Sequence, residues 1–145
     1  MPHERPYDPD YSHEVVTVGS PAVATGFTRT VPGASRWRIQ SVSFVLVADA
    51  NAANRIPRVE YLDAAGNVFA AVAAPFNLTA NLTARFTFAI GVIQFGANAA
   101  AQIGASLPDL HLNPGLSVRV AVGGVQAGDQ ISGAALFVDQ WAVRD

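Results

Sequence analysis

VRVAVGGVQAGDQISGAALFVDQW, residues 118–141, is two alternating apolar runs around a glycine-rich loop. Leu116, Val118, Val120 and Val122 fall on one side, with Ser117 and Arg119 on the other. After the loop, Leu136, Val138, Gln140 and Ala142 oppose Phe137, Asp139, Trp141 and Val143. A side-chain period of two is the mark of a strand with one face buried. Between the runs, Gly123 and Gly124 let a strand bend or bulge. Gly128-Asp129 supplies a turn with positive φ, and the Asp129 carboxylate caps it by accepting backbone N–H groups. GGVQAG lacks the lysine and the following serine or threonine of a phosphate loop. The stretch therefore reads as a strand, a structural turn and a strand, with no ligand required.

The same reading extends outward. EVVTV (14–18) and VATGFTRTV (23–31) are strand-like, the second followed by the turn Pro32-Gly33. In WRIQSVSFVLVADA (37–50), Trp37 and Ile39 share one face while Val42, Phe44 and Leu46 share the other. The phase slips near Gln40-Ser41, as a β-bulge or a change of sheet would make it do. IPRVEYLDAAGNVFAAVA (56–73) is a hairpin turning at Asp63 to Asn67, and Pro57 marks an edge or a strand beginning. NLTANLTA (77–84) is a loop leading into LTARFTFAIGVIQF (82–95), where Phe86, Phe88, Ile90 and Val92 share a face. GANAAAQIGAS (96–106) is ambiguous between helix and strand, and LPDLHLNPG (107–115) is a connection.

Eight or nine strands, Gly/Pro-rich turns and no long helix predict an all-β, antiparallel, jelly-roll-like β-sandwich. An immunoglobulin-like strand order is the alternative. Residues 1–14, with Pro2, Pro6, Pro9, Tyr7 and Tyr11, read as an extended N-terminal arm, and residues 15–145 as one sandwich domain.

The bulk properties narrow the function. The chain has 145 residues, is 50 % hydrophobic and only 14 % charged, and carries a net charge of -2. No apolar run approaches the roughly 20 residues that span a bilayer, so no membrane partner is expected. MPHERPYDPD lacks the apolar core of a secretory signal. Cysteine is absent, which removes disulfides, thiol catalysis and thiolate metal sites. All nine basic residues are arginine, and none form a basic block, so no nucleic-acid partner is expected.

Catalytic readings fare poorly. His3 and His13 lie in the arm, and His111 would have to recruit Asp109 or Asp129 and a serine without a nucleophile elbow. The three histidines lack zinc spacing. Asp49, Asn51 and Asn54 offer calcium a single carboxylate, where it wants several. Glu60 and Asp139 are the strand carboxylates, but nothing sets them opposite each other as glycoside hydrolysis would need, and Arg58 shares a face with Glu60. No catalytic residue, cofactor or metal is expected. Asn77-Leu78-Thr79 and Asn81-Leu82-Thr83 match a glycosylation pattern that is short and frequent. The aromatics Tyr7, Tyr11, Tyr61, Trp37 and Trp141 are the possible stacking platforms for a saccharide. Tyr7, Tyr11, Trp37 and Trp141 are the interface candidates.

WRIQSVSFVLVADANAANRIPRVEYLDAAGNV (37–68) and LNPGLSVRVAVGGVQAGDQISGAALFVDQW (112–141) resemble a pattern in small β-sandwich proteins of tailed bacteriophages and their prophages. Trp37 opens the first long strand, and Arg55 follows an alanine-rich loop. Pro114-Gly115 leads into the penultimate strand, and Gly128-Asp129 turns into the last. Residues 1–36 diverge. The resemblance implies a virion structural protein, a capsid decoration or cement protein on the outer capsid surface, made in the host cytoplasm. It implies the major capsid protein as partner, self-association possibly as a homotrimer, and no catalysis. A host-attachment or sugar-binding module and a neck or tail component are the alternatives.

Overall fold

The computed structural model describes residues 10 to 143. Ten strands follow in order: β1 (Tyr11–Gly19), β2 (Phe27–Thr30), β3 (Ser35–Val47), β4 (Ile56–Leu62), β5 (Val68–Ala73), β6 (Thr83–Ala89), β7 (Gln102–Ser106), β8 (His111–Leu112), β9 (Ser117–Gly123) and β10 (Gln130–Ala142). One sheet runs β1-β10-β3-β6-β7, with β8 also paired to β3, and the other runs β2-β9-β4-β5.

The pairings identify the topology. β1 pairs with β10, β2 with β9, β3 with β6 and β4 with β5, as in one long hairpin. Wrapping that hairpin brings β10 against β3 and β9 against β4, which closes two four-stranded sheets. This is jelly-roll order, and the immunoglobulin-like alternative is set aside. β7 and β8 are additions between the sixth and seventh strands of that plan. The expectation of antiparallel pairing needs one correction. β7 runs parallel to β6, because residues 90–101 cross over before the chain returns.

The core lies between the sheets. Phe44 of β3 stacks on Phe86 and Phe88 of β6 at centroid distances of 5.6 and 6.4 Å, and meets Phe27 of β2 edge-on. Each fully buried aromatic of this kind contributes about 1.5–3 kcal/mol. Val59 and Tyr61 of β4 and Val118 and Val120 of β9 close the core from the second sheet. The alternation read in these strands is the alternation observed. Pro57 is the second residue of β4, an interior strand, so it marks a strand beginning and not an edge. The turn at Asp63 is held by its own carboxylate, which accepts N–H groups from Ala65 and Asn67.

Two other readings change. Trp37 and Ile39 do not face away from Val42, Phe44 and Leu46, for all five are buried in one core. Opposite them, Phe137 pairs with Ser41 and Val138 with Ile39, so Gln40 is an extra residue. That bulge restores the phase after the slip. The strand read as 82–95 ends at Ala89, and Phe95 instead folds back to pair with Gly104 of β7.

The arm boundary also moves. Residues 11–14 belong to β1, paired with Trp141 to Val138 of β10, because antiparallel pairing satisfies their backbone groups. Tyr7 and His3 lie outside the described residues.

Candidate functional site

The loop GGVQAGDQ meets DANAANR, residues 49–55, at one end of the sandwich, and a buried ion network joins them. Arg55 is 0 % exposed and Asp129 1 %. Arg55 Nε donates to Asp129 Oδ2 at 2.9 Å, and Nη2 donates to Asp129 Oδ1 at 3.1 Å and to Asp49 Oδ1 at 2.7 Å. Nη1 donates to the Ala53 carbonyl at 3.0 Å. Asp129 also accepts the Asp49 and Gln126 N–H groups, both at 2.8 Å. Asp49 accepts from Gly128 N at 2.8 Å and from Asn51 through both its backbone and its side chain. A planar guanidinium suits this two-carboxylate cradle in a way an ammonium would not.

The glycines serve the same joint. Gly124 has φ +75, and a Cβ there would stand 2.1 Å from the Asn54 carbonyl oxygen. Gly128-Asp129 does not take the positive φ expected of it; Gly128 is needed for room, since a Cβ there would stand 2.8 Å from Asp49 Oδ2. Gly123 is the last residue of β9, paired with Ile56. Burial would raise the carboxyl of Asp129, but hydrogen bonds from Arg55, Asp49 N and Gln126 N outweigh it and hold it below the ordinary range. Asp49 behaves alike: desolvation is overcome by Asn51 and Gly128 donors. The network has the chemistry of a clasp. Its carboxylate oxygens are spent on Arg55 and N–H groups, which leaves Asp49, Asn51 and Asn54 no open cage for calcium. Asn54 instead accepts from Asn77 Nδ2 at 2.8 Å.

A second cluster covers the outer face of the β1-β10-β3 sheet. Asp139 points away from the core yet is buried. Tyr11 Oη donates to its Oδ1 at 2.9 Å, His13 Nδ1 lies 2.8 Å from Oδ1, and Gln40 Nε2 donates to Oδ2. Arg38 Nη1 reaches Oδ2 at 3.4 Å. Burial pushes the Asp139 carboxyl up, and the donors from Gln40, Tyr11, Arg38 and His13 bring it net down. Arg38 then binds Asp109 through Nε at 2.6 Å and Nη2 at 2.8 Å. Above these polar groups the rings form a continuous row. His111 meets Trp141 at 5.3 Å, Trp141 meets Tyr11 at 5.2 Å, Tyr11 meets His13 at 5.0 Å and His13 stacks on Phe137 at 5.6 Å.

Tyr11 and Trp141, two of the interface candidates, are thus brought together. Trp37 is corrected: it is 4 % exposed, with Nε1 donating to Gln140 Oε1 at 2.8 Å, because the bulge turns it inward. Glu60 pairs with Arg119 at 3.0 Å, its cross-strand partner, and not with Arg58. His111 and Asp109 share no hydrogen bond among those described, since Arg38 holds Asp109. No three His, Asp or Glu side chains converge for a metal among the described residues. Sequence reasoning missed Arg38 and Gln40. Their only local signal was a polar residue every second position before the bulge.

No family model and no curated protein matches the sequence. Solved structures match in part. The viral particle of infectious bursal disease virus matches with a TM-score of 0.44 and 9 % identity, over 92 % of this chain and 36 % of that one. The VP2 subviral particle of the same virus gives 0.37 and 12 %, over 94 % and 43 %. The enzymatically active domain of tailspike protein 4 of bacteriophage CBA120 gives 0.37 and 13 %, over 90 % and 19 %. This chain spans less than half the length of each. Likeness at this level assigns neither a family nor a role.

Proposed function

We propose that this chain is a virion structural protein, a capsid decoration (cement) protein and not an enzyme. One observation carries the reading. On the side of the sandwich where β5 and β7 form the sheet edges, two segments are uncharged and rich in apolar residues. Neither VFAAVA (68–73) nor IGVIQFGANAAA (90–101) holds an ionisable residue. Val68 and Phe69 are exposed there, and so are Ile93, at 86 %, and Phe95. Such a surface is cheap to desolvate and favours association. An uncharged β5 edge also leaves strand addition unopposed. The resemblance carried by residues 37–141 supports the same role.

The mechanism is linkage. A protein that binds the assembled shell but not its free subunits stabilises the shell by mass action. The partners in this reading are the major capsid protein and further copies of the chain, in a homotrimer, on the outer surface of the particle. A neck or tail position is the competing placement.

Cryo-electron microscopy of the particle tests it. Density for this chain bridging neighbouring shell subunits through the β5–β7 side is the expected result. Density confined to the tail, or none on the particle, overturns it. Because Ile93 is so exposed, Ile93→Asp should spare folding and weaken shell binding. Removal of residues 1–9 tests the arm without cutting into β1.

A further inference from the structure

We propose that the ring-lined outer face of the β1-β10-β3 sheet, from His111 to Phe137, binds an uncharged oligosaccharide. This goes beyond the shell role and does not rest on it, since the β5 and β7 edges lie at the opposite side of the sandwich.

Three features converge. First, five rings in series, with neighbouring centroids 5.0–5.6 Å apart, form a strip and not a broad patch. The C–H face of a sugar ring packs on aromatic rings, and this strip, with neighbouring planes inclined by between 13° and 75°, offers faces and edges in turn to successive sugars. Second, the rim supplies hydroxyl partners of both kinds. The Asp109 side chain is 54 % exposed, and His13 58 %. Both oxygens of Asp109 are already oriented by Arg38, so its remaining lone pairs offer a hydroxyl an acceptor in a fixed position. Third, the rings are anchored from below. Tyr11 and His13 bond to buried Asp139, which Gln40 and Arg38 also hold. A platform fixed in this way loses little entropy when a ligand arrives.

Charge selects the ligand. Arg38 and the exposed Arg36, cross-strand from Trp141, are balanced by Asp109 and Asp139, so the strip presents no field of one sign. Nucleic acid and other polyanions would find no excess of cations here. A second copy of the chain would need a wide apolar surface, and this strip, though continued by exposed Val15 beside Phe137, is interrupted by exposed His13 and bordered by exposed Asp109.

The chain has two tryptophans. Trp37 is buried, so Trp141 is the accessible reporter. Intrinsic fluorescence and isothermal titration are followed as the full chain is titrated with maltohexaose, cellohexaose, mannohexaose and chitohexaose, from micromolar to millimolar. At least one should bind, with a fluorescence change. Trp141→Ala and Asp109→Ala should each weaken that binding at least tenfold with the melting temperature of Asp109→Ala unchanged. Asp109 is exposed, so its variant remains informative if Trp141→Ala fails to fold. No response to any of the four sugars overturns the proposal. So does binding that survives Asp109→Ala, or a loss of self-association in Asp109→Ala in place of a loss of sugar binding. Shell binding by the same variants separates the two readings: it should stay unchanged.

Discussion

Arg55 and Asp129 stand 74 residues apart in the chain and face to face in the fold, with Arg55 Nε donating to Asp129 Oδ2 at 2.9 Å in a buried pair. The pair ties the β3–β4 loop to the β9–β10 loop. Removing one partner leaves the other charged in a dry place, which costs about 3–5 kcal/mol. Arg55→Met should lower the unfolding free energy measured by urea denaturation by that much. Arg55→Met combined with Asp129→Leu should lose less than the two single changes added together, because the stranded charge is gone. Strict additivity in the denaturation curves would show that the two side chains act separately.

The same carboxylates make the fold acid-sensitive. Asp129, Asp49 and Asp139 are all held below the ordinary carboxylate range. A depressed folded value means that the stabilisation is complete above the unfolded value, about 3.9. It is lost as pH falls through the folded values, because protonation then favours the unfolded chain. Melting temperature should therefore be flat from neutrality to about pH 5 and fall steeply below about pH 4. Asp129→Asn should start lower at pH 7 and fall less steeply. An identical slope in the variant would remove Asp129 from the acid response.

Gly124 and Gly115 offer a controlled pair. Both have positive φ, +75 and +88. Alanine at Gly115 would meet nothing within 4 Å, so it should cost only backbone strain, about 1–2 kcal/mol. Alanine at Gly124 would also drive a Cβ against the Asn54 carbonyl oxygen, which cannot move without opening the clasp. Gly124→Ala should thus be clearly the less stable variant by chemical denaturation. Equal losses would mean that the loop yields freely.

Tyr61 carries a buried hydroxyl with no hydrogen-bond partner among the described residues, and burial pushes its phenol pKa up. An unmet hydroxyl costs about 1–3 kcal/mol in desolvation. Tyr61→Phe should therefore keep or raise the melting temperature. A clear drop would show that the hydroxyl is bonded after all.

The strands were legible because alternation is a local property. Phe86 and Phe88, or Val118 and Val120, fall on one side by backbone geometry alone, whatever they later pack against. The Asp63 turn was legible for the same reason, since its partners lie within four residues. The Gln40 slip was visible, but its outcome was not. Whether Trp37 and Ile39 rejoin the core depends on how Ser41 and Ile39 register with β10, nearly a hundred residues away. The ring row was legible only as scattered aromatics. Its members come from β1, β8 and β10, and nothing in a single strand states which strands will be neighbours.

By itself, then, the sequence determined an all-β sandwich, its turns and most of its inward-facing residues, through steric rules that act over a few residues. Tertiary structure alone decided the jelly-roll order, the parallel β6–β7 pair, the burial of Arg55 and the meeting of Tyr11 with Trp141. Those depend on which distant segments close on one another. That choice is made by the free energy of the whole packed arrangement and not by any stretch of the chain.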